Sequence, residues 1–278
     1  IDLAGANLEE ANLEGADLAY SIVSGANFAS AHLEKADLTG GVQAQAANFL
    51  VAAMQGADFT GAQLQFADFS SATMQGALLS RAHLQGAILR DADLEAADLY
   101  AAKLHGADLT GARIRAADLR GAGVWMTLPP AQETMALSDL SDIVVKPIDE
   151  LDVSSLARAI DRVPSAAQRE QVRTALAPIM DLKTAGRWSG TTEALRWQSM
   201  AQAAGTAIGE TYKTQLTEYV SQLMCKSRWS GGSVATGIAR RAQAQQFRGN
   251  LVAVHDRLRG QDCPAGANIP ARVLQGLT

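Results

Sequence analysis

From Ile1 to Met126 an apolar residue returns at every fifth position. The blocks begin IDLAG, ANLEE, ANLEG, ADLAY; after GVQAQA at 41–46 they resume as ANFLV and end at AGVWM. All 24 blocks are apolar at the centre, mostly Leu, with Val23, Phe28, Phe49, Met54, Phe59, Phe69, Met74, Ile114 and Val124 as variants. Ala stands two positions earlier in 22 of them, Ile1 and Ser21 being the exceptions. A period of five fits neither a helix nor a strand, so the chain has to turn once per block. Four turns close a coil of about twenty residues, with the central residue and its Ala inward and the other three positions outward. Gly ends 11 of the 24 blocks, where a tight corner asks for a permissive backbone. The six residues at 41–46 add one residue to one side of a coil and predict a local bulge.

The pattern A(D/N)LXX resembles the pentapeptide repeat family over residues 1–126. That resemblance implies a right-handed quadrilateral parallel β-helix. Six coils at the strand spacing of roughly 4.8 Å would give a rod on the order of 30 Å long. Residues 127–278 lose the period and read as a separate, mainly α-helical domain, so the expected class is β-helix followed by helices. The chain opens already in register at Ile1, which predicts further sequence ahead of it and leaves the compartment, cytoplasmic or exported, open.

Composition fits the division. There are 53 alanines and only 14 aromatics, and all seven prolines lie beyond residue 128. Residues 1–126 carry 15 acidic and 7 basic side chains, residues 127–278 carry 14 and 17. Neither balance announces a nucleic-acid partner. No apolar run reaches the ~18 residues of a membrane span.

Residues twenty apart stack in columns. Asp93 under Arg113 and Glu95 under Arg115 predict ion pairs between coils. Gln65, Gln85 and His105 form one column and Gln63, His83 and Lys103 another, both expected as solvated surface with no metal. Acidic groups gather at the start, with Glu9, Glu10, Glu14 and Asp17 as candidate interaction residues.

Beyond Leu128-Pro129-Pro130 a β-like run at 142–146 precedes helical signals. They predict helices over 153–163, from a Ser165/Gln168 capping box to Pro178, over 192–225, over 233–259 closed by Gly260, and a short one from Pro270. Arg187-Trp188-Ser189-Gly190 recurs as Arg228-Trp229-Ser230-Gly231 and reads first as a helix-entry staple. Gly205 and Gly209 suggest a close helix crossing. The basic side of the 233–259 helix, with Arg240, Arg241 and Arg248, is the second candidate interaction surface. It is expected to be solvated or to meet an acidic surface, and a neighbouring rod is one such surface. Cys225 and Cys263 are a candidate disulfide, with two free thiols as the alternative.

No nucleophile, metal or phosphate motif stands out, so no cofactor and no catalytic residue is expected. The reading is a non-enzymatic scaffold or protein-interaction module whose partner is another protein. Some members of the family bind DNA gyrase as DNA mimics, which supplies a rival reading. A ligand-binding or enzymatic site in 127–278, lined by Arg187, Trp188, Arg228 and Trp229, is the second rival.

Overall fold

A computed structural model describes residues 1–183, 187–207, 209–226, 232–243, 247–260, 263, 266, 269–277; the side chains of 204–207, 226 and 243 are left aside. The five-residue blocks form a four-sided coil. Each block contributes one bridging residue per side, paired in parallel with the residue one coil on: Asp2 with Ile22, Asn7 with Asn27, Asn12 with His32, Asp17 with Asp37. Leu3 N–H donates to the Ile22 carbonyl at 2.7 Å, and the same bond recurs up the rod. We name the four sides by their first central residue, Leu3, Leu8, Leu13 and Leu18. Inward Ala and Leu positions are fully buried from the second coil onward. On the second side Phe28, Phe49 and Phe69 stack, with centroids 5.0 and 4.9 Å apart.

Every block corner has a positive φ, whether or not it is Gly: Glu10 57°, Tyr20 60°, Lys35 61°, Val51 59°, Phe66 65°. The corner geometry is therefore imposed by coil stacking, and the non-glycine residues carry its strain.

Pairing steps from 20 to 21 residues between Asp17↔Asp37 and Ile22↔Gln43, and returns to 20 at Gln43↔Gln63. The added residue is the second of the pair Gly40 and Gly41, both at positive φ. The remaining five residues of 41–46 are a regular block with sizes exchanged, Val42 at the small position and Ala44 at the centre, both fully buried.

The coil does not end at Met126. Asp108 pairs with Leu128, Asp118 with Asp139 and Gly123 with Val144, so the β-like run of 142–146 is a further coil step. The five-residue signal fades there because a 3-10 turn, Gln132–Met135, replaces one regular side.

Seven helices follow among the described residues: α1 Glu150–Asp161, α2 Ala166–Met180, α3 Thr192–Ala207, α4 Glu210–Lys226, α5 Ser233–Gln243, α6 Leu251–Arg259 and α7 Ala271–Gln275. Ser165 caps α2 by accepting from Gln168 N–H. α2 carries Pro178 in its last turn and stops two residues later. Two expected long helices are each divided. The first breaks between Ala207 and Glu210, around Gly209. The second breaks before Asn250, whose side chain accepts from Ala253 N–H and starts α6 afresh. Cys225 and Cys263 form a disulfide between the end of α4 and the segment after α6.

Candidate protein interface

Small corner residues decide where the helices lie. After the first side the corner column contains Gly25, Phe66, Gly86, Gly106 and Met126. A Cβ on Gly25 would lie 3.0 Å from Pro164, one on Gly86 2.8 Å from Leu176, and one on Gly106 1.8 Å from Ile179. The α1–α2 pair thus packs directly on this corner. Diagonally opposite, the corner after the third side holds Gly56, Gly76, Ala96 and Ala116. There α5 packs backbone to backbone: a Cβ on Gly56 would be 1.9 Å from the Ser233 carbonyl oxygen. Ala96 and Ala116 join the core of α4, α5, α6 and α7. Across the last coil, Trp188 lies edge-on to Trp125 at 4.7 Å and Trp197 Nε1 donates to the Thr127 carbonyl at 2.9 Å. Trp188 is therefore a staple, with Thr191 Oγ1 accepting from Ala194 N–H at the start of α3. The matching tetrapeptide at 228–231 and the residue 208 stretch of the Gly205/Gly209 pair lie outside the described residues.

The first side is not solvated. Gln65, Gln85 and His105 are 2%, 1% and 6% exposed, on the side to which α1 is tied at both ends. Lys103 Nζ reaches Asp152 at 2.5 Å near one end of α1, and Arg162 at its other end donates to Gln63. His105 Nδ1 accepts from Trp125 N–H at 3.3 Å, and burial drives its pKa down to about 4, against Asp152, which raises it. His83 is lowered by burial and by Lys103 as well. Both rings belong to a packed interface.

The arginines expected on a free basic face instead hold α5 and the segment after it to the rod. Arg241, 3% exposed, donates to Asp118 at 3.1 Å and to the Ala96 carbonyl at 3.4 Å. Arg248 pairs with Asp139 at 2.9 Å, and Arg240 reaches the Gly56 carbonyl. Burial alone would raise the Asp118 pKa, but the Arg120 hydrogen bond and the Arg241 charge hold it below the ordinary carboxylate value. The acidic surface these arginines meet is the chain's own rod. Sequence reading missed this because Asp118 and Asp139 stand about a hundred residues or more away. The signal was present as an aspartate column, Asp17, Asp37, Asp58, Asp98, Asp118 and Asp139, interrupted by Leu78.

Of the two expected ion pairs between coils, Asp93–Arg113 forms. Arg115 leaves Glu95 and stacks on Tyr219 at 4.1 Å, while the Tyr219 hydroxyl bonds Glu95. Glu14 is paired with Lys35 at 2.6 Å, and Glu9 accepts from Asn27 at 3.1 Å. Glu10 and Asp17 stay exposed. Asp17, Asp37 and Asp58 make no ion pair among the described residues. The Oδ1 of each accepts the N–H two residues on at 3.0 Å, which orients the second oxygen away from the backbone. Between the 3-10 turn and α3–α4 lies a hollow of about 500 Å³ lined by Met135, Leu140, Met200 and Tyr212. Among the described residues no helix is long and apolar enough to cross a membrane.

The family model described as pentapeptide repeats (8 copies) matches residues 6–42, 41–76 and 77–115. Among solved structures, the chain is similar to a trypsin-treated variant of QnrB1, a plasmid-mediated fluoroquinolone resistance protein. Identity there is 21%, over 56% of this chain and 84% of that one, with a TM-score of 0.41. HetL from Nostoc sp. strain PCC 7120, a pentapeptide repeat protein involved in heterocyst differentiation regulation, is 29% identical over 52% of this chain and 73% of that one, TM-score 0.20. A pentapeptide repeat protein from the Arabidopsis thaliana thylakoid lumen is 22% identical over 62% and 88%, TM-score 0.26. No curated protein matches the chain. Family match, five-residue period and stacked four-sided coils agree: the N-terminal region of this chain is a run of pentapeptide repeats.

Proposed function

We propose that the protein is a non-enzymatic interaction module, in which the N-terminal coils bind a partner protein and the helical part is a clasp that braces the C-terminal coils. Two parts share this work: the repeats of 1–126 with their closing steps to 145, and the helices beyond. The observation that carries the reading is how charge is used. In the upper coils Asp93, Asp108, Asp118 and Asp139 are all taken by arginines of the same chain. Residues 1–60 hold eight acidic side chains against one lysine, and Asp17, Asp37 and Asp58 are left for another molecule. The coil interior is filled by its own Ala, Leu and Phe, which leaves no space in the rod for a substrate.

The test places a photo-reactive residue at Thr60 or Ala19, beside the free aspartates, and at Leu182 in the clasp. A discrete crosslinked protein from the rod positions alone supports the reading, and none from either rod position contradicts it. The second reading, a DNA-mimicking topoisomerase binder, is favoured by the same run of uncompensated acids. Inhibition or protection of gyrase in a supercoiling assay, lost when those acids are neutralised, would select it.

A further inference from the structure

We infer that the open half of the fourth side docks an α-helix carrying one arginine per turn, running along the rod axis; this rests on the interaction reading above. Asp17, Asp37 and Asp58 occupy successive coils in one bridged column. Coil spacing is about 4.8 Å and the pitch of an α-helix about 5.4 Å. Over two steps the mismatch is about 1.2 Å, which the reach of an arginine side chain absorbs. Arginines at i, i+3 or i+4, and i+7 therefore meet the three carboxylates in order.

The chain already contains this recognition chemistry. Higher on the same column, Asp118 and Asp139 are held by Arg241 of α5 and by Arg248 just after it. Arg241 also uses a carbonyl of the coil, at Ala96. The lower carboxylates are oriented alike by their own backbone N–H bonds and have an oxygen left to accept a forked donor. On the neighbouring third side, across the corner from these aspartates, Glu34, 6% exposed, meets His32 through Oε1 at 3.5 Å and keeps Oε2 without a hydrogen bond, and Gln55 Oε1 one coil higher is likewise unpaired. Charge complementarity selects a cationic partner, and the one-per-coil spacing selects a helix over an extended strand, whose same-face residues repeat at about 6.6 Å.

The experiment is fluorescence anisotropy with two alanine-based helical peptides of equal composition, one with arginines aligned at i, i+4 and i+7, the other with them spread around the helix. The whole chain should bind the aligned peptide at least tenfold tighter. The triple variant Asp17→Asn, Asp37→Asn, Asp58→Asn should abolish that preference. Its fold is safe, because Asn7, Asn27 and Asn48 occupy equivalent positions and make the same turn bond. Equal affinity for both peptides, or a preference surviving in the triple variant, overturns the inference. If neither peptide binds while Thr60 still crosslinks a protein, the arginine-helix inference falls and the interaction reading stands. If rod crosslinks fail too, both fall.

Discussion

Gly237 of α5 lies so close to Gly76 of the rod that a Cβ built on it would stand 1.9 Å from the Gly76 carbonyl oxygen and 2.9 Å from Gly56 Cα. Backbone meets backbone there, with no side chain to yield. In an ordinary helix interior alanine in place of glycine stabilises by about 0.5–1 kcal/mol. Here Gly237→Ala should instead destabilise by about 1–3 kcal/mol as the helix is pushed off the corner. Hydrogen exchange should rise in α5 and its neighbours and stay unchanged in coils near Phe28.

Arg241 should be the costliest of the clasp arginines to truncate. Its removal leaves Asp118, fully buried, with only Arg120 as ionic partner among the described residues. Arg241→Ala should cost about 3 kcal/mol in denaturant unfolding, near the lower bound for a broken buried pair because Arg120 remains. Arg248→Ala, at a half-exposed side chain, should cost clearly less.

Acid should loosen the seam between α1 and the first side. His105 has its pKa lowered to about 4, chiefly by burial. The unfolded chain therefore binds this proton before the folded one does, between pH 6.5 and about 4. The contribution is fully present above pH 6.5 and is lost as the pH falls toward 4, a change of about 3 kcal/mol. His105→Gln, matching Gln65 and Gln85 in the same column, should flatten that part of the stability profile measured by urea unfolding.

Val51 is a β-branched residue at φ 59° on an exposed corner. Left-handed backbone costs such a residue roughly 1–2 kcal/mol, part of which glycine returns through its freer unfolded state. Val51→Gly should raise stability by about 0.5–1 kcal/mol, read as an increase in the melting temperature.

Much of the rod was legible because its rule is local. A five-residue period fixes which residues face inward, and the Ala, Leu and Phe assignments hold from Val23 to Val124. The coil steps at Leu128, Asp139 and Val144 escaped because a 3-10 turn and an added residue break the period without breaking the hydrogen bonding. Helix propensity marked the helical stretches beyond residue 150, but not the break around Gly209 or the one at Asn250, where a side-chain cap outweighs apolar spacing. Arg241, Arg248 and the Gln65–His105 column looked like free surface for a related reason. Their partners, Asp118, Asp139 and α1, are brought to them by tertiary packing, and no local pattern encodes it.

Acids of the last coils serve the fold, and those of the first coils are proposed to face a partner. That division is best probed through the affinity of the protein captured at Thr60 for two chains. In one, Asp17, Asp37 and Asp58 are neutralised; in the other, Asp91→Asn removes a charge from a corner away from that column. The first should lose at least tenfold in affinity, more steeply at low salt, and the second should be unchanged. Equal affinity for both chains would overturn the division.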